Sequence, residues 1–165
     1  MTAWVERSRE EAYLLNPSFC ALIAWSSAVG YRGDGSDGMP YVLPFVAVPL
    51  TLHRPTRQAI PRNPRTSMPA WIEENTYFRV GFAERACSLA PFVREALLFG
   101  AVHGLFAFDD QHRVVPAPKP GALNGYLRTA TDEVRECVKK AEFVGRWLAA
   151  SGSVETTMAL WGVKP

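Results

Sequence analysis

The sequence predicts a mainly α-helical protein carrying one small β-hairpin, in the order of a winged helix-turn-helix. Three observations point there. Residues 129–151 place Val134, Val138, Ala141, Val144 and Leu148 at helical spacing along one face. Asn16-Pro17 and Ala90-Pro91 are helix starts, with a proline at the first helical position. Leu105-Phe106-Ala107-Phe108 and His112-Arg113-Val114-Val115 flank the turn residues Asp109-Asp110-Gln111, which is a strand, turn and strand.

The elements follow in order. Residues 4–15, rich in Glu and Arg, read as a first short helix. Residues 17–31 form the next, with Phe19, Leu22, Ile23 and Trp25 on a broad apolar face. Gly33 to Gly38 is a flexible loop. The apolar run 41–52 is favoured as a buried helix kinked at Pro49, while Val42, Val46 and Val48 would also suit a strand, so its fold stays open. Residues 53–65 contain Pro55, Pro61 and Pro64, cannot be one regular element, and form the best candidate for an internal boundary. Short helices follow at 70–75 and 77–89, then one at 91–103 stopped by Gly104. The helices at 77–89 and 91–104 would be the helix pair, and 105–115 the wing. After a loop at 116–120 comes the long amphipathic helix, ended by Gly152. Ser153 caps a last short helix reaching Trp161.

A chain of 165 residues fits one domain, 1–165, with possible lobes at 1–60 and 66–165. Its 48% hydrophobic and 21% charged residues are a globular composition rather than a disordered one. A net charge of +2 announces neither nucleic acid nor membrane. Cys20, Cys87 and Cys137 are widely spaced, which excludes a disulfide framework or zinc knuckle and reads as reduced core thiols. Met1 to Glu11 lacks a signal-peptide pattern, and the apolar run 39–52 is short and interrupted by prolines. The expected location is therefore cytoplasmic.

The chemistry-bearing residues do not assemble into a catalytic pattern. His53, His103 and His112 have no evident nucleophile and orienting group, and His103 closes an apolar helix where it favours the helix dipole. Asp109-Asp110 is explained by turn chemistry, and Glu73-Glu74 by a neighbouring helix start. A hydrolase using Asp109 or Glu73/Glu74 is an alternative, but acids adjacent in sequence rarely converge on one bond. Gly33-x-Gly35-x-x-Gly38 matches the dinucleotide fingerprint in letters only: a helix precedes it, and Asp34 and Asp37 would repel a pyrophosphate. There is no P-loop. The expectation is an absence of catalytic residues, cofactor and metal. His53, Arg54, Arg57, Arg62 and Arg65 lie in a stretch with no acid between Asp37 and Glu73. They are candidates for contact with an acidic protein surface or a phosphate backbone, against the reading of a solvated arginine loop. The would-be recognition helix reads Phe92, Val93, Ala96, Leu97, Leu98, Phe99, Ala101, Val102. Apolar on most sides, it is expected to be buried rather than to read bases.

Several stretches carry a family resemblance through their order. They are Leu15-Asn16-Pro17-Ser18-Phe19-Cys20, Pro49-Leu50-Thr51-Leu52-His53-Arg54-Pro55-Thr56-Arg57, Val80-Gly81-Phe82-Ala83-Glu84-Arg85-Ala86, Arg94-Glu95-Ala96-Leu97-Leu98-Phe99, Gly145-Arg146-Trp147-Leu148 and Leu160-Trp161-Gly162-Val163-Lys164-Pro165. Together they resemble the middle component of bacterial three-component ABC systems over residues 15–165. The resemblance implies a non-enzymatic adaptor with winged-helix character. Its expected partners are a chromosome-maintenance-like (SMC-like) ABC ATPase and an effector or sensor component from the same operon, in systems directed against phage and other mobile DNA. DNA reached through the complex, and self-association, are compatible with this; a membrane partner is not expected. The alternative is a winged-helix DNA-binding protein or transcription regulator, with Arg54, Arg57, Arg62, Arg65 and Arg113 on the phosphates.

Overall fold

The structure, a computed structural model, describes residues 15–33, 35, 37–61, 63, 65–118 and 121–163. The helix expected at 4–15 falls almost wholly outside them, as do Asp34 and Arg62. The described chain is mainly helical. Its elements are α1 (Pro17–Arg32), β1 (Met39–Pro40), α2 (Pro44–Leu52), α3 (Arg54–Ala59), α4 (Met68–Glu74) and α5 (Thr76–Arg79). They continue with α6 (Phe82–Val102), β2 (Phe106–Phe108), β3 (Arg113–Pro116), α7 (Gly121–Thr129), α8 (Asp132–Ala149) and α9 (Val154–Leu160).

Local signals set most of the boundaries. The Asn16 side chain accepts from Ser18 N–H at 2.9 Å and Pro17 opens α1. Thr131 Oγ1 accepts from Val134 N–H, with Asp132 and Glu133 in the first turn of α8, where acidic side chains suit the helix dipole. Ser153 caps α9 through Thr156 N–H at 3.2 Å. The long helix thus begins at Asp132, not at residue 129, and a separate helix, α7, occupies 121–129.

The run 41–52 resolves as a helix. Pro44 and residues 46–51 are all buried, and a segment covered on every side is served better by a helix with internal hydrogen bonds than by an alternating strand. The extended residues lie just before it, in β1. Met39 pairs with Val114 and Pro40 with Arg113, so β1 adds a third antiparallel strand to the expected hairpin, in the order β1-β3-β2. The hairpin itself pairs Phe106 with Pro116 and Phe108 with Val114.

The helix pair is displaced from its expected register. Residues 82–102 are one helix running through Pro91, and the break falls at Val80-Gly81, between α5 and α6. A proline inside a helix costs about 3 kcal/mol. Phe82, Ala86, Val93, Ala96 and Leu97 make one continuous buried stripe on both sides of Pro91, and their burial offsets that cost. Gly81, at φ 69°, supplies the left-handed turn before α6. Nor is α6 buried all round. Leu98 is 67% exposed and Val102 73%, one turn apart on its outer face.

The core runs from Ile23, Val46 and Leu50 to Trp71, Leu97 and Trp147, on both sides of the proline-rich connection, whose own Ile60 is buried with them. Trp71, Trp147, Trp161 and Phe82 form an aromatic knot, with Phe82 and Trp161 ring centroids 4.6 Å apart. Trp71 Nε1–H donates to Ala59 O and Trp147 Nε1–H to Thr66 O, so burying the indoles strands neither donor. The tightest approach is between α1 and α8. A Cβ added to Gly145 would strike Ser27 O and come within 2.8 Å of Tyr31 N. One added to Gly30 would strike Glu142 O. Two backbones in direct contact leave no room for a methyl group.

Cys20 and Cys137 are buried, but Cys87 is exposed on α6, so only two of the three are core thiols. Burial, reinforced by Glu95, pushes the Cys20 thiol up to about 12, and burial also raises Cys137. Thiolates do the attacking, so brief treatment with iodoacetamide at pH 8 is expected to label Cys87 alone. Peptide mapping by mass spectrometry checks this, and labelling of Cys20 at a similar rate would contradict it.

Candidate functional site

The first turns of α1, the α2–α3 junction, the start of α6, α7 and the start of α8 surround a cleft of about 730 Å³. Phe19, Leu22, Leu52 and Leu89 form its apolar wall. Arg57, Arg85 and Glu133 give it a charged end, with His53 beside them.

Arg57 is 1% exposed and fully engaged. His53 links α2 to α3 in an extended conformation, and α3 then turns Arg57 inward one turn later. Its Nη1 donates to Thr51 O at 2.9 Å and to Leu52 O at 3.3 Å, which are terminal carbonyls of α2. Nη2 donates to Glu133 Oε1 at 2.8 Å and Nε to Glu136 Oε2 at 3.4 Å. One guanidinium therefore ties the C-terminus of α2 to the N-terminal turns of α8. Arg57 acts as an internal tie rather than as the free cation expected for a partner or phosphate.

His53 Nδ1 lies 2.6 Å from Thr56 Oγ1. Burial first, then the positive charges of Arg85 and Arg57, lower its pKa below the usual imidazole value of 6.5. It is uncharged at neutral pH and adds no cation to the basic stretch. Arg54 and Arg65 are exposed and lie outside the cleft lining, and Arg62 is outside the described residues. The sequence-level set thus divides, with His53 and Arg57 in the cleft and Arg54 and Arg65 on the surface.

Arg85 was not among the expected site residues. Its Nε and Nη2 are shut from solvent and have no hydrogen-bond partner among the described residues, while its guanidinium carbon sits 5.5 Å from the centre of the Phe82 ring. Burial lowers its pKa from the free arginine value. The legible signal was its place on the helical stripe: Arg85 interrupts the apolar series Phe82, Ala86, Leu89 and Val93.

The other chemistry-bearing residues lie outside the cleft lining. Asp109 accepts from Gln111 N–H and Arg113 N–H, and its carboxylate meets Arg113 Nε at 2.6 Å. Desolvation pushes its pKa up, but these hydrogen bonds outweigh it and hold it below the usual carboxylate range. Arg113 also reaches Asp37 at 3.2 Å, so it is paired twice across the sheet end. His103 Nδ1 lies 2.8 Å from Phe99 O at the end of α6, as a helix-closing histidine would. Glu73 and Glu74 sit in the last turn of α4 rather than at a start. No group of three or more His, Cys, Asp or Glu is placed to hold a metal ion among the described residues. No described helix is long and apolar enough to cross a membrane.

The fold is mainly helical with a small antiparallel sheet, a cleft holding charged side chains, and exposed apolar side chains on α6. The chain belongs to the family described as ABC-three component (ABC-3C) system Middle Component 3, whose model matches residues 4–165. No curated protein and no solved structure matches it.

Proposed function

We propose that the protein is a non-catalytic adaptor which holds an SMC-like ABC ATPase and an effector or sensor component together in a bacterial system directed against phage and other mobile DNA. The observation that supports this is the placing of its exposed apolar side chains. Leu98 and Val102 stand near the end of α6, while Tyr77 (77% exposed) and Val80 (75% exposed) stand just before its start. A 21-residue helix is about 30 Å long, so the two patches are far enough apart for two partners. Large apolar side chains left in water are the usual anchors of protein interfaces.

The double variants Leu98→Asp/Val102→Asp and Tyr77→Asp/Val80→Asp are expected each to release one partner, with at least about a tenfold loss of affinity. Their melting temperatures should stay within about 2 °C of the parent, because the side chains are already solvated. Co-expression of all three components followed by affinity capture and size-exclusion chromatography checks this. If the unaltered protein runs free of both components, the adaptor reading is overturned. Of the arginines named for the DNA-binding alternative, Arg57 and Arg113 are paired within the chain, while Arg54 and Arg65 are exposed.

A further inference from the structure

The charged end of the cleft has a geometric feature that an adaptor surface does not require. The two Arg85 nitrogens without a partner among the described residues, Nε and Nη2, form one edge of the guanidinium, with their N–H bonds parallel. That edge matches the two oxygens of a carboxylate. Buried charged donors left unpaired are rare in native proteins because they lose water and gain nothing in return. Here Arg85 lines a cleft whose volume falls in the range of ligand sites and whose lining combines apolar side chains, Phe19, Leu22, Leu52 and Leu89, with polar ones such as Ser88 and Thr131. Two titratable residues that share the cleft lining are engaged elsewhere. Glu133 is held by Arg57, and His53 is turned to Thr56.

We propose that this cleft is a carboxylate-binding site. Arg85 takes the carboxylate side-on, and Phe19, Leu22, Leu52 and Leu89 take an apolar body attached to it. The ligand is either a free organic acid or an acidic side chain, beside apolar ones, on a partner protein. Because the donor edge is closed to solvent, the site must open for a carboxylate to reach it, and a small probe should bind at about millimolar Kd. The site stands independently of the adaptor proposal, since the probe experiment uses this chain alone.

The test is titration of the full chain with phenylacetate, with phenylacetamide as the uncharged control. Nitrogen-detected NMR of the Arg85 Nε–H and imidazole signals reads the site. The expected result is a saturable downfield shift of Arg85 Nε–H and a rise in the apparent pKa of His53, since a carboxylate offsets the positive field around the ring. Phenylacetamide should produce neither. Arg85→Met should abolish the response without lowering the melting temperature, because it removes donors that have no partner among the described residues, and Arg85→Lys should weaken it. No shift of Arg85 Nε–H, or an undiminished His53 response in Arg85→Met, would overturn the proposal. So would a melting temperature lowered by several degrees in Arg85→Met, which would mark the arginine as a structural tie. Competition distinguishes the two sources: phenylacetate that releases a partner from the co-expressed complex identifies a protein carboxylate, and a complex indifferent to saturating phenylacetate identifies a free acid.

Discussion

Alanine at Gly145 is expected to lower the melting temperature by about 5–10 °C, a loss of roughly 2–3 kcal/mol. The added methyl meets Ser27 O and Tyr31 N, which are backbone atoms of α1, so no side-chain rotation relieves it. The helices must separate instead, and separation opens gaps along a buried seam that includes Ile23, Ala24, Ala141, Val144 and Leu148. Alanine at Gly30, which meets Glu142 O from the other side of the same crossing, should cost a similar amount. The double variant should cost clearly less than the sum, because the first methyl already forces the gap that the second needs. Thermal and urea melts of the three variants measure this. Single variants melting within about 1 °C of the parent would show that the crossing is looser than described.

Replacing Arg57 by methionine should cost about 2–4 kcal/mol. Methionine keeps much of the buried volume but removes every donor. Thr51 O and Leu52 O lose their Arg57 hydrogen bonds at the end of α2, and Glu133 and Glu136 lose their cation. The two glutamates are partly solvated, with side chains 61% and 38% exposed, so the ion pairs themselves contribute the smaller share. Glu133→Gln and Glu136→Gln are therefore expected to cost under about 1 kcal/mol each. Denaturant titration of the three variants decides it. A loss in Arg57→Met no larger than the two glutamate effects combined would mean that the carbonyl hydrogen bonds contribute nothing.

The fold was legible where a short-range rule governed. Asn16 and Ser153 act through groups two or three residues away, and the hairpin turn is held by Asp109 within its own loop. The family resemblance lay in the order of several short stretches and agrees with the matched family. Pro91 misled because a local cost was overridden by a stripe of buried contacts that becomes visible only when the partners of α6 are known. The third strand was missed because two residues at Met39–Pro40 are too few to show alternation. The site was less legible than the fold. His53, Arg54, Arg57 and Arg65 form one basic run in sequence, yet an arginine pairing with Glu133 and Glu136 cannot be told from a solvated one without α8 in place. Arg85 was detectable in principle, as a charge on an apolar stripe.

The crossing of α1 and α8 also bears on the order in which the protein is made. Pro17–Arg32 is synthesised early, while its glycine-matched partner, Asp132–Ala149, follows roughly a hundred residues later, which is a high-contact-order pairing. At ribosomal speeds of about 5–20 residues per second, the apolar surface of α1 waits several seconds or more for its cover. During that interval the face of α1 that α8 covers at Ser27 and Gly30 stays open, so nascent chains should be retained by chaperones until α8 has emerged.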